Sequence, residues 1–197
     1  MSRGLDALTA ALIRAEVAIW PGDWQRLEAE LGAARDAGLP RASFEEMLLQ
    51  GVLFFGFPRI VTAFEVLQKR WPSAPAPGGG GLPAERQAAA GRELFAAIYG
   101  KNDAPVRALL RSFHSEFHDF VLEAAYGRVL TRPGLAAKER ELLAAAALAA
   151  MAQTPQLVAH ARGALRFGAT EDEVRGAIAL GAAAPDDVEG LLRRVLG

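Results

Sequence analysis

The stretch from Arg140 to Glu173 reads RELLAAAALAAMAQTPQLVAHARGALRFGATEDE, and it decides the fold class. Leu142 to Ala150 is apolar at every position, so a helix over Ala136 to Ala152 must be buried on several sides and forms the centre of a core. Thr154 with Pro155 predicts the start of the next helix, and Gly168 its end. Thr170 and Glu173 then form a capping box for a third helix, because hydroxyl and carboxylate satisfy each other's orphan N–H groups. One carboxylate, Glu141, and one imidazole, His160, lie inside this apolar hairpin.

Working outward, the same helical grammar covers nearly the whole chain. Leu5, Leu8, Leu12, Ala15 and Ile19 share one face of a helix that Pro21-Gly22 ends. Asp23 caps a second helix that closes at Gly38, and Ser43 with Glu46 predicts a capping box for a third, broken at Gly56-Phe57-Pro58 and resuming from Ile60 to Trp71. Pro72 to Pro83 holds a Pro/Gly linker with almost nothing to bury. Beyond it, helices are predicted over Arg86 to Tyr99, Ala104 to Phe113, Ser115 to Leu130, Val174 to Ala183 and Asp186 to Leu196. The organisation expected is therefore a three-helix part over 1–71, a linker over 72–83 and a helical domain over 84–197, all-α throughout. Counted from the two capping boxes, Ser43 to Pro58 and Thr170 to Pro185 suggest an internal duplication of unequal copies.

Composition excludes several chemistries. With 197 residues, a net charge of -1 and no cysteine, the chain has no broad basic field for nucleic acid, no disulfide and no thiolate. Arg107, Arg111, Arg162, Arg166, Arg175, Arg193 and Arg194 read as solvated faces opposite apolar stripes. The first twenty residues are interrupted by Arg3, Asp6, Arg14 and Glu16, and no later window reads as a charge-free membrane span, so a cytoplasmic protein without membrane association is expected. His114 and His118 have metal-ligand spacing, but beside Phe113 and Phe117 they read as the edge of an amphipathic helix, and neither metal nor cofactor is expected.

Glu141 and His160 carry the chemistry. If the hairpin turns near Gln153, His160 is level with Ala146, which leaves Glu141 about 7 to 8 Å farther along at ~1.5 Å per residue. A bridging water or a substrate is then expected between them. An inward carboxylate and a histidine suit general acid/base work, and a structural pair is the competing reading.

Gly91-Arg92-Glu93-Leu94-Phe95 through Gly100, Tyr126-Gly127-Arg128 through Leu135, Arg140-Glu141-Leu142-Leu143, His160-Ala161-Arg162-Gly163 and Gly168 through Val174 together resemble the carboxymuconolactone decarboxylase family. Glu45 to Phe64, with Phe55-Gly56-Phe57-Pro58, resembles that family's aromatic-Gly-x-Pro segment, whereas the C-terminal counterpart here is Ala182-Ala183-Ala184-Pro185. The resemblance implies an all-helical fold and a homo-oligomer, trimeric or hexameric. It also implies matching roles for Glu141 and His160. The positions of the family's alkylhydroperoxidase D-like Cys-x-x-Cys pair are Gln153 and Gln156 here, which excludes thiol peroxidase chemistry. The expected activity is cofactor-free proton transfer on a small carboxylate or lactone, with Arg132 and Arg140 holding the substrate's carboxylate. The alternative is a catalytically silent helical oligomer or ligand-binding module.

Overall fold

The computed structural model describes residues 4–74, 80–182 and 185–196, with backbone only from 185 to 187. Helices α1 (Ala7–Ile19), α2 (Trp24–Asp36) and α3 (Arg41–Arg70) precede the linker. After it come α4 (Ala84–Tyr99), a 3-10 turn, α5 (Asp103–Phe113), α6 (Ser115–Phe120), a π-helical stretch Val121–Leu130, α7 (Ala137–Ala150), α8 (Thr154–Arg166), α9 (Glu171–Gly181) and α10 (Pro185–Leu196). Among the described residues there is no strand.

Local chemistry sets most of the boundaries. Asp6 accepts from the Thr9 N–H at 2.8 Å and Asp23 from the Arg26 N–H at 3.0 Å, each capping its helix. Gly38 and Gly168 close α2 and α8 at φ 70° and 88°, a left-handed backbone that disfavours a Cβ. The Thr170–Glu173 capping box forms as predicted, whereas Ser43 and Glu46 form none. Helix α3 starts three residues earlier than a Ser43 cap would place it, at Arg41 behind Pro40, and no side chain caps it. Helix α8 likewise starts behind Gln153 without a side-chain cap, with Pro155 in its first turn. At Gly56 the chain takes φ 76° and kinks α3 without ending it.

The parts before and after the linker share one core. Leu12, Ile13 and Ile19 of α1, Leu27 and Leu31 of α2 and Phe44, Met47 and Leu48 of α3 belong to the same buried cluster as Leu142 and Leu143 of α7, Leu157 of α8 and Ile178 of α9. Helix α3 is long and apolar enough by composition to cross a membrane, with a mean hydropathy of 1.6 over its best window, though Arg59 interrupts its apolar run. Its apolar residues Phe44, Met47, Leu48, Phe55, Ile60, Ala63 and Leu67 lie in this core, which accounts for them without a bilayer.

A second, smaller cluster comprises Phe95 and Ile98 of α4 and Leu122, Tyr126 and Leu130 of the π-helical stretch. It depends on a glycine crossing. A Cβ on Gly91 would lie 2.0 Å from the Leu122 carbonyl oxygen, and one on Gly127 would lie 2.1 Å from that of Gln87. Only two glycines let these backbones approach so closely, and the crossing brings Phe95, Tyr99 and Tyr126 together. Of the linker's glycine run, Gly80 and Gly81 lie against the Arg132 guanidinium, and residues 75–79 are outside the described residues. So are Ala183 and Ala184 of the C-terminal Ala-Ala-Ala-Pro segment.

Candidate functional site

Glu141 and His160 meet directly. Glu141 Oε2 lies 3.0 Å from His160 Nδ1, and both residues are buried. The 7 to 8 Å separation expected from the sequence is corrected by the hairpin register. Glu141 faces Gly163, one turn beyond His160, where a Cβ would lie 2.4 Å from Glu141 Oε2. Because Gly163 has no side chain, the carboxylate lies against the backbone of α8 and reaches the imidazole without a bridging water. Phe54 of α3 covers the ring edge-on at 6.4 Å between centroids. Two groups that would be costly to bury singly thus satisfy one another.

The small aromatic cluster lies next to this pair. The Tyr126 hydroxyl donates to the Tyr99 hydroxyl at 3.4 Å, and Phe95 stacks on Tyr99 at 4.2 Å. Burial pushes the Tyr126 phenol well above its ordinary pKa, with Tyr99 and the Glu141 carboxylate acting in the same direction. Tyr99 is also raised, by burial first, with Glu141 adding to the effect against the hydrogen bond from Tyr126. Both phenols therefore stay protonated at neutral pH and sense the charge on Glu141. They were quoted in the sequence motifs without a role; the chain's having only two tyrosines, both on apolar helices, was the available signal.

Tyr99 and Tyr126 form part of the wall of a cavity of about 520 Å³, with Phe95, Val106, Leu109, Ala159 and the arginines Arg162 and Arg166. Neither Glu141 nor His160 is on that wall; Ala159, beside His160, and the two phenols are. The site is thus an apolar chamber with two cations on its wall and a buried carboxylate–imidazole pair close behind it. Arg162 also donates to the Arg194 and Val195 carbonyls, and Arg166 to the Ile98 carbonyl, so these residues are not the freely solvated charges expected from the sequence. Gln156, at one thiol position of the peroxidase branch, is on the same wall.

Arg132 and Arg140 are placed elsewhere. Both grip Glu46 of α3: Arg132 with Nε at 3.1 and 3.0 Å and Nη2 at 2.7 Å, Arg140 with Nη2 at 2.8 Å. Arg140 is 1 % exposed and also donates to the Gln50 side chain at 3.1 Å, while Gln50 returns a bond to the Arg140 carbonyl at 2.8 Å. Burial works to raise the Glu46 pKa, but the hydrogen bonds from Arg132 and Arg140 overcome it and hold the carboxyl below its ordinary range. An internal carboxylate thus occupies the role expected of a substrate's. Sequence patterning missed this because Glu46 read as a cap residue.

His114 and His118 do not converge. His114 lies just before α6, and His118 is buried with its Nδ1 2.8 Å from Asp119 Oδ1. Among the described residues no cluster of three or more potential ligands could hold a metal ion.

Fold and site together define an all-helical protein with a buried Glu–His pair behind an apolar chamber. Residues 115–189 match the model of the Carboxymuconolactone decarboxylase family, so this segment of the chain is similar to that family. It is 35% identical over 66 residues to the 4-carboxymuconolactone decarboxylase of Acinetobacter baylyi, covering 34% of this chain and 49% of that protein. It is 29% identical over 136 residues to Peroxisomal protein 2 of Schizosaccharomyces pombe, covering 67% of this chain and 63% of that protein. The chain therefore spans less than two thirds of either relative's length.

Proposed function

We propose that the chain binds a small, mostly apolar organic acid or lactone in the 520 Å³ chamber and performs cofactor-free proton transfer on it. The observation that carries this reading is the direct, buried 3.0 Å contact between Glu141 and His160 immediately behind a wall of phenols. Glu141 orients the imidazole, His160 is the acid or base, and Tyr126 with Tyr99 presents hydroxyls toward the ligand. Arg162 and Arg166 hold the ligand's carboxylate in place of Arg132 and Arg140, whose guanidiniums are engaged by Glu46.

The relative's name supplies the first substrate to try. Release of carbon dioxide from 4-carboxymuconolactone is expected to fall at least 100-fold in His160→Ala and Tyr126→Phe, with circular dichroism unchanged. A second reading, a ligand-binding module without chemistry, is favoured by the absence of Glu141 and His160 from the chamber wall. Ligand binding that persists in His160→Ala with no turnover in any variant would select it.

Self-association accompanies either reading. Phe113 and Phe120 are 64% and 66% exposed, and Leu109 and Phe117 add to this apolar face on α5 and α6. Such a face suits a contact between copies of the chain, and light scattering at micromolar concentration is expected to give a trimer or hexamer.

A further inference from the structure

Helix α5 buries none of its own residues and stands between two cavities. Val106, Leu109, Leu110 and Phe113 face the apolar chamber, while Ala104, Arg107, Ala108 and Arg111 face a second cavity of about 270 Å³ whose far wall is His118. Residues three and four apart share a helix face, so Arg107 and Arg111 project side by side, and the two alanines leave space between them and the histidine.

The polar groups in this smaller cavity are incompletely used. Arg107 gives one Nη to Asp103, but its buried Nε has no partner. Arg111 has no ion-pair partner among the described residues. His118 is 3 % exposed, and Asp119 engages its Nδ1, which leaves Nε2 as the ring's free nitrogen. The opposing charges are Asp103, whose Oδ2 pairs with Arg107 while its buried Oδ1 has no partner, and Asp119, mostly solvated. Guanidiniums and an imidazole converging on a small space offer directed N–H donors to an oxygen-rich anion, and guanidinium is the group best matched to phosphoryl oxygens.

We infer that the Arg107–Arg111–His118 cavity binds a phosphoryl group, inorganic phosphate or the phosphate of a small metabolite. Because α5 forms the wall of both cavities, the bound anion also steadies the side of the apolar chamber. The inference is independent of the chemistry proposed for Glu141 and His160.

Titration of the full chain with inorganic phosphate by calorimetry, at constant ionic strength set with chloride, tests it. Saturable one-site binding is expected, weakened at least tenfold in Arg111→Ala and in His118→Phe but less than twofold in Arg26→Ala on the distant α2. Arg111 is exposed, so its replacement leaves folding intact even if His118→Phe does not. Hydrogen exchange of the α5 amides is expected to slow with phosphate in the parent chain and not in Arg111→Ala. Absence of saturable binding, equal weakening in Arg26→Ala and Arg111→Ala, or acetate binding as tightly as phosphate would overturn the assignment.

Discussion

In α1–α3 the hairpin helices are joined by Arg14 and Glu30 at 2.9 Å; in α7–α9 they are joined by Glu141 and His160 at 3.0 Å. The helices themselves follow one plan. Starts at 7, 24 and 41 recur at 137, 154 and 171, a constant offset of 130, and Gly38 recurs as Gly168. Glu30 and His160 occupy the same place in that plan, whereas Glu141 corresponds to Ala11 and Gly163 to Ala33. The offset counted from the capping boxes was three residues short because α3 starts at Arg41 and not after Ser43.

Surroundings separate the two hairpins. Helix α8 is covered by α4, whose Ile98 packs toward Gly163, and by Phe54 of α3, so its histidine and the facing glutamate are desolvated. Glu30 keeps 21% of its side chain exposed and its partner Arg14 36%, so that pair contributes about 0–1 kcal/mol. The same helical plan thus yields a surface ion pair in one place and a shielded carboxylate–imidazole pair in the other. The added layer of α4 and the π-helical stretch makes the difference.

Breaking the joint between α3 and α7 should have the largest effect. Arg140→Ala leaves Glu46 to Arg132 alone, strips the Gln50 side-chain oxygen of its partner and opens a cavity beside the core, and is expected to cost about 3–5 kcal/mol in urea unfolding. Next, Gly163→Ala forces a Cβ into the Glu141 carboxylate and is expected to cost about 1–3 kcal/mol and to shift the His160 ring resonances. Its counterpart Ala33→Gly should cost only about 0.5–1 kcal/mol, from backbone entropy alone. Equal losses would dissolve the comparison.

A pH-dependent contrast concerns Glu16, which corresponds to Ala146. Both its carboxylate oxygens are buried without a partner, and burial pushes its pKa well above the ordinary value of 4.5. A raised folded-state pKa means that stability present below pH 4.5 is lost as pH climbs through the folded value. Glu16→Met removes that titration, so its gain over the parent should grow with pH to about 1–2 kcal/mol at pH 8. Thermal melts at pH 5 and 8 check the sign, and a gain that shrinks with pH would show that Glu16 is ionised and partnered in solution.

Sequence by itself determined the helices, the stops at Gly38, Gly100 and Gly168, the Thr170–Glu173 cap and the exclusion of thiol chemistry. These follow from local backbone hydrogen bonding and composition. It also singled out Glu141 and His160. Tertiary structure alone decided that they touch, because their register depends on a glycine three residues past the histidine. It also decided that Arg132 and Arg140 belong to Glu46, across 86 and 94 residues of chain, and that Arg162 and Arg166 belong to a chamber. Helical periodicity tells which face a side chain occupies; which distant charge reaches it first is settled only when the helices pack.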